Sequence, residues 1–167
     1  MFKEGRSSLP QFFINEKIEC KNSPIHGVGV FARQDIPKRT MIESCAVLPF
    51  HVDTLTELYE MNEERHILQD YVFKWKPGFF CIAWGWVSLY NHDDNNNAQW
   101  RTNHDLNSIE ITTTKDIKAG EEIFIKYMPS RMKALLWFSQ DGDDTRAEDM
   151  VQAYEALNKK GDPWKMY

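Results

Sequence analysis

Hydrophobic positions along this chain fall in many short runs of alternating character, with helical spacing confined to its last third. Residues 12–20 alternate loosely and predict a first strand, ended by the turn-forming Asn22-Ser23-Pro24. Val28–Ala32 predicts a short strand, residues 36–40 a turn, and residues 41–47 another strand stopped by Pro49. From 53 to 69 the apolar period is poor, which suits a short helix or an irregular insert. Residues 71–75 and Phe79–Ala83 are aromatic-rich runs flanking Lys76-Pro77-Gly78, the pattern of a hairpin. The run Trp86-Val87-Ser88-Leu89-Tyr90 is β-like, and residues 93–97 have no core-building side chain and predict an exposed loop. Residues 98–101, 108–113 and 122–127 return to strand character, with a turn-rich connection over 115–120.

The C-terminal third differs. Residues 130–138 suit a short helix capped by Ser130, and Thr145-Arg146-Ala147-Glu148 fits a capping box. Ala147, Met150, Val151, Tyr154 and Leu157 then share one helical face until Gly161. The pattern is one of short strands followed by an amphipathic helix packed back on them.

At 167 residues one domain with a real core is expected. The net charge of −5 argues against a sequence-independent nucleic-acid binder, which needs a basic face to displace counterions. It is compatible with a basic, lysine-bearing partner. Cys20, Cys45 and Cys81 are widely spaced and form no CxxC pair, so neither a zinc site nor a disulfide framework is suggested. The longest apolar run, 79–87, is too short to span a bilayer, and residues 1–6 lack the apolar stretch of a signal peptide. A cytoplasmic protein without membrane contact is the expectation.

Three motifs carry candidate chemistry. Gly27-Val28-Gly29-Val30 lets the backbone approach a ligand closely, because neither glycine presents a side chain and both tolerate φ > 0. Alone, such a pair marks a plain tight turn. Asn91-His92 sets an amide beside an imidazole and offers paired donors and acceptors to an amino-acid ammonium and an adenine edge; alone, it is a polar corner. Gly120-Glu121-Glu122-Ile123-Phe124-Ile125-Lys126-Tyr127 is a turn followed by an amphipathic strand ending in tyrosine.

In this order the three motifs resemble SET-domain lysine methyltransferases over residues 14–127. The first matches their Gly-x-Gly. Asn91-His92-Asp93-Asp94-Asn95-Asn96-Asn97 is similar to Asn-His-Ser-Cys-x-Pro-Asn at its first two and last positions, and the third motif resembles Gly-Glu-Glu-Leu-x-x-Asp-Tyr with Lys126 in place of Asp. Without the usual cysteine the chain looks like a small, zinc-free SET protein of bacterial or viral type. The resemblance implies a mainly β (β-clip/SET) fold of small curved sheets with a knot-like crossing. It divides the chain into an N-terminal extension over 1–11, a SET domain over 12–128 and a helical extension over 129–167.

The activity it implies is methyl transfer from S-adenosylmethionine to the side-chain amine of a protein lysine, leaving S-adenosylhomocysteine. Gly27, Val28, Gly29, Val30, Asn91 and His92 would hold the cofactor. Tyr127 would be the catalytic residue, with Tyr90, Tyr71, Phe80 and Phe124 lining the lysine channel. Trp137, Phe138, Trp164 and Tyr167 are candidates to cover the adenine. Two other readings stand beside this one. His92, Asp93, Asp94, His104 and Asp105 could serve a metal-dependent hydrolase or nuclease, since hard cations favour carboxylate oxygens. A SET-like binding module that has lost activity is the second.

Overall fold

The computed structural model describes residues 12–55, 57 and 71–127. The extension over 1–11, most of the 53–69 insert and the helices expected after residue 128 lie outside the described residues. Nine strands make the described chain mainly β: β1 (Phe13–Ile14), β2 (Ile18–Asn22), β3 (Val28–Ala32), β4 (Met41–His51), β5 (Val72–Lys76), β6 (Phe79–Ala83), β7 (Ala98–Asn103), β8 (Ser108–Thr113) and β9 (Glu122–Ile123). Two compact units contain them. One comprises the described parts of Met1–Val47 and Ala83–Lys126, the other those of Leu48–Ile82 and Tyr127–Tyr167.

In the first unit β8 is central to one sheet, antiparallel to β7 on one side and to β4 on the other, with β1 on the far edge of β4. Its β-branched Ile109, Ile111 and Thr113 alternate inward and are buried. The second sheet is β2-β3-β9, antiparallel throughout. β3 is central there, which is why Val30, Phe31 and Ala32 are buried in succession. An Ile36–Ile117 bridge and the Asp35–Lys118 ion pair (2.7 Å) tie together the two turns that follow β3 and β8. Pairing of β4 with β8 shifts register between Met41 and Glu43. This bulge lets Ile42 and Glu43 be buried side by side.

The second unit holds the β5–β6 hairpin, with Lys76 opposite Phe79 across the Pro77-Gly78 turn. Residues 52–55 begin a helical turn after β4.

Four sequence expectations change. The strand over 12–20 is two strands, β1 and β2, parted by a turn in which the Asn15 side chain accepts the Lys17 N–H. β4 runs through Pro49 to His51, since a proline is tolerated where no ladder hydrogen bond is required. Residues 87–89 form a 3-10 helix rather than a strand. Only Glu122–Ile123 of the expected 122–127 strand pairs with a neighbouring strand in a ladder, because Phe124 and Ile125 bond instead to the Asn97 side chain and to the backbone of Asn91, Asp93 and Ala98.

Candidate active site

β2 flanks β3 along its whole length, from Asn22 opposite Val28 to Ile18 opposite Ala32. β9 covers the other edge only at Val30 and Phe31. The edge formed by Gly27, Val28 and Gly29 therefore meets a side chain, Asn91, in place of a strand. Asn91 Nδ2 lies 3.1 Å from the His26 carbonyl, 3.3 Å from the Val28 carbonyl and 2.7 Å from Glu122 Oε1. An amide nitrogen has two hydrogens, so acceptors outnumber donors at this point.

The two glycines serve different ends. Gly27 has φ +51°, with open space where a Cβ would stand. Gly29 has ordinary φ but no room, since a Cβ there would collide with the Glu122 carboxylate and crowd the Asn91 amide. Ser23 completes this cluster by donating to Glu122 Oε2 at 2.9 Å while accepting the Ile25 N–H. Val28 stays partly exposed. Val30 is fully buried between strand partners and can offer the site only support.

Asn91-His92 also forms one wall of a crossing. The Asn91 carbonyl accepts the Ile125 N–H at 3.0 Å, the Asp93 N–H donates to the Ile125 carbonyl at 3.3 Å, and His92 pairs with Ile125 in a parallel bridge. On the other side the Ala98 N–H donates to the Phe124 carbonyl at 3.0 Å. Asn97 Oδ1 accepts the Phe124 N–H at 2.8 Å, and its Nδ2 donates to the Glu122 carbonyl at 2.9 Å. One short loop, residues 91–98, thus grips residues 122–125 from both sides. This is the knot-like crossing expected of the fold. Just beyond it, the Trp100 indole N–H donates to the Lys126 carbonyl. Asp94 Oδ1 lies 3.6 Å from both His92 Nε2 and Lys126 Nζ. Two positions at which the chain departs from the family pattern, Asp94 and Lys126, therefore meet as opposite charges.

The turn that delivers Asn91 is anchored from β4. Glu43 is fully buried; its Oε1 accepts the Trp86 N–H at 2.7 Å, and the Val87 backbone and Tyr90 side chain lie close to the carboxyl. Gly85 makes room, because a Cβ there would strike Glu43 Oε1 and lie 2.8 Å from Cys45 Cβ. Burial pushes the Glu43 carboxyl up to about 7 against the pull of these neighbours. Burial, then the nearby Glu43, raises the Tyr90 phenol well above its ordinary value and lifts the Cys20 thiol to about 11. Tyr90, expected to line the channel, has no exposed surface, and its hydroxyl is turned to Glu43.

One unit therefore brings together Gly27, Val28, Gly29, Asn91 and His92, with Phe124 half-buried on the crossing. Tyr71, Phe80 and Tyr127 belong to the other unit, and Tyr127 directly follows Lys126 in the chain. The four C-terminal aromatic candidates lie outside the described residues. Sequence reasoning missed Ser23, Glu43, Asn97 and Glu122. Signals existed for three of them: Glu122 sits inside the third motif, Asn97 is the last matching residue of the second, and Glu43 is a lone acid in the apolar run 41–47. Among the described residues no group of three or more His, Cys, Asp or Glu is placed to hold a metal ion. His104 approaches Thr102 Oγ1 at 3.4 Å.

The SET domain family model matches residues 27–128. A Schizosaccharomyces pombe histone-lysine N-methyltransferase, H3 lysine-37 specific, is 33% identical over 128 residues, covering 77% of this chain and 81% of the relative. A crystal structure of a Plasmodium falciparum protein, described as a histone methyltransferase, superposes with a TM-score of 0.53 at 30% identity, over 70% of this chain and 97% of that one. The chain belongs to the SET-domain family. Its activity is that of a protein-lysine methyltransferase, and its substrate is a protein carrying a lysine. Both relatives come from eukaryotes.

Proposed function

We propose that this chain uses S-adenosylmethionine as its methyl donor and holds its amino-acid end at the β3 edge, where the glycine turn meets Asn91. The carrying observation is the surplus of acceptors around Asn91 Nδ2: two backbone carbonyls and the Glu122 carboxylate, beside an exposed turn at Gly27. That donor set suits an ammonium group, and the open space at Gly27 suits close backbone approach. Bound there, the cofactor supplies an electrophilic methyl group on a positive sulfonium.

The chain's own residues then do three things. His26 and Val28 present carbonyls to the cofactor's ammonium, and the Asn91 amide yields or shares these partners. The His92 backbone, locked to Ile125, keeps the crossing in register so that the residues after Lys126 start from a fixed point. Tyr127 orients the incoming amine through its hydroxyl. It is not a strong general base, since a phenol has a pKa of about 10. A lysine amine, near roughly 10.4 in water, must lose its proton before attack, and an apolar channel favours that loss by desolvation. Alignment of nitrogen, carbon and sulfur supplies the rest of the rate.

Tyr71, Phe80 and Phe124 are the proposed aromatic lining. The acidic chain suits a basic tail as substrate, and histone H3 is the first candidate to assay, on the strength of the relative's specificity. Tyr127→Phe should lower turnover at least tenfold, or change the number of methyl groups added, with cofactor affinity kept. Methyl transfer to H3 peptides, followed by mass spectrometry, reads both. Full activity in that variant would remove Tyr127 from the mechanism.

A further inference from the structure

We propose that Glu43 is a positioning residue for the cofactor site: it grips the Gly85–Tyr90 turn and through it fixes where Asn91 stands. The proposal rests on the reading of Asn91 as part of the S-adenosylmethionine site. Glu43 touches none of the motifs directly. It lies on β4 at the register shift, with no exposed surface. Its Oε1 accepts the Trp86 N–H at 2.7 Å, and Val87 and Tyr90 lie close to the same carboxyl. These three residues belong to the five that precede Asn91. Gly85 is moulded to the same group, since any side chain there would displace either the carboxyl or Cys45. The turn is thus fastened at its beginning to one buried side chain.

The grip depends on charge. An ionised carboxyl holds the Trp86 N–H by a charge-assisted hydrogen bond. Protonation removes that charge assistance and turns one acceptor position into a donor, which weakens the hold on the turn. The titratable groups facing Glu43 are Tyr90 and Cys20, and Cys45 lies beside Tyr90; burial raises the Tyr90 phenol and the Cys20 thiol, which keeps both neutral near pH 7. Burial raises the Glu43 carboxyl to about 7, so the change in grip falls within the working range. Ionisation therefore tightens Asn91 while it costs folding stability, and the two effects run in opposite directions with pH.

The test measures S-adenosylmethionine affinity by calorimetry on the full chain between pH 5.5 and 8.5, for wild type, Glu43→Gln and Tyr90→Phe, with melting curves at each pH. Taking the ratio of wild type to variant cancels the titration of the ligand's own amine. We expect equal affinities for wild type and Glu43→Gln at pH 5.5, and three- to tenfold tighter wild-type binding at pH 8.5, where wild type is the less stable of the two. Tyr90→Phe, which removes the hydroxyl beside the carboxyl and keeps the ring, should bind two- to threefold more weakly at high pH. A constant ratio across pH, or affinity that merely follows melting temperature, would overturn the positioning role. Absence of binding by wild type would instead overturn the cofactor reading, and this proposal with it.

Discussion

Glu43 and Glu122 are both buried acids, each lodged where a glycine lacks its side chain, yet they organise opposite ends of Asn91. Glu122 works on side chains: it receives Ser23 Oγ and the Asn91 amide beside Gly29. Glu43 works mainly on the backbone of the turn leading to Asn91, beside Gly85. The difference lies in what each holds. Glu122 orients one functional group at the ligand-facing edge of β3, whereas Glu43 fixes a peptide turn inside the molecule and carries a larger desolvation cost. A glycine in a functional motif can thus make space for a neighbouring carboxylate as well as for a ligand.

The sharpest way to break the comparison is Gly29→Ala. Its Cβ would meet the Glu122 carboxylate and the Asn91 amide, so we expect a loss of about 3 kcal/mol or more in stability and abolished cofactor binding. Chemical denaturation and calorimetry would read both. Next in size is the pH dependence set by Glu43. Its folded value is raised above the unfolded one, so its contribution is fully present below about pH 4 and is lost as pH rises through about 7. Glu43→Gln should remove that slope. Its stability relative to wild type should grow from near zero at pH 4 to at most about 3 kcal/mol above pH 8, measured by urea titration at each pH.

Glu122→Ala should cost about 1 kcal/mol or more, since it strands the Ser23 hydroxyl and takes one of three acceptors from the Asn91 amide; urea titration would read it. Smallest is Gly27→Ala. The site is open but φ is +51°, so only backbone strain of about 1 kcal/mol is expected, visible as a small shift in melting temperature. If Gly27→Ala proved as damaging as Gly29→Ala, the division of labour between the two glycines would be wrong.

Much of this was legible in the sequence where local pattern and tertiary demand agree. β3, β8 and the β5–β6 hairpin stand where alternation and turn residues predict them. The three motifs pointed to the family, and all three meet at the β3 edge, the last of them through Glu122. What escaped was decided by partners far away in the chain. Trp86–Tyr90 has β-like composition but becomes a 3-10 turn because Glu43 binds its first amide. Phe124 resembles a strand residue, yet the Asn97 side chain stands where a strand partner would be. Tyr90 sits next to Asn91 and so invited a place in the channel, but its hydroxyl turns inward to Glu43. No window of neighbouring residues contains that information.

Because residues 91–98 enclose residues 122–125, the order of assembly is constrained. Either the forty residues beyond Tyr127 are drawn through the loop, or the loop shuts around a segment already in place. Both routes need contacts between distant parts of the chain and belong to the slow class of folding reactions. A polypeptide emerging from the ribosome cannot close this crossing until residues 122–125 have been made, so shorter nascent copies lack the contacts that hold Asn91 and His92 in place.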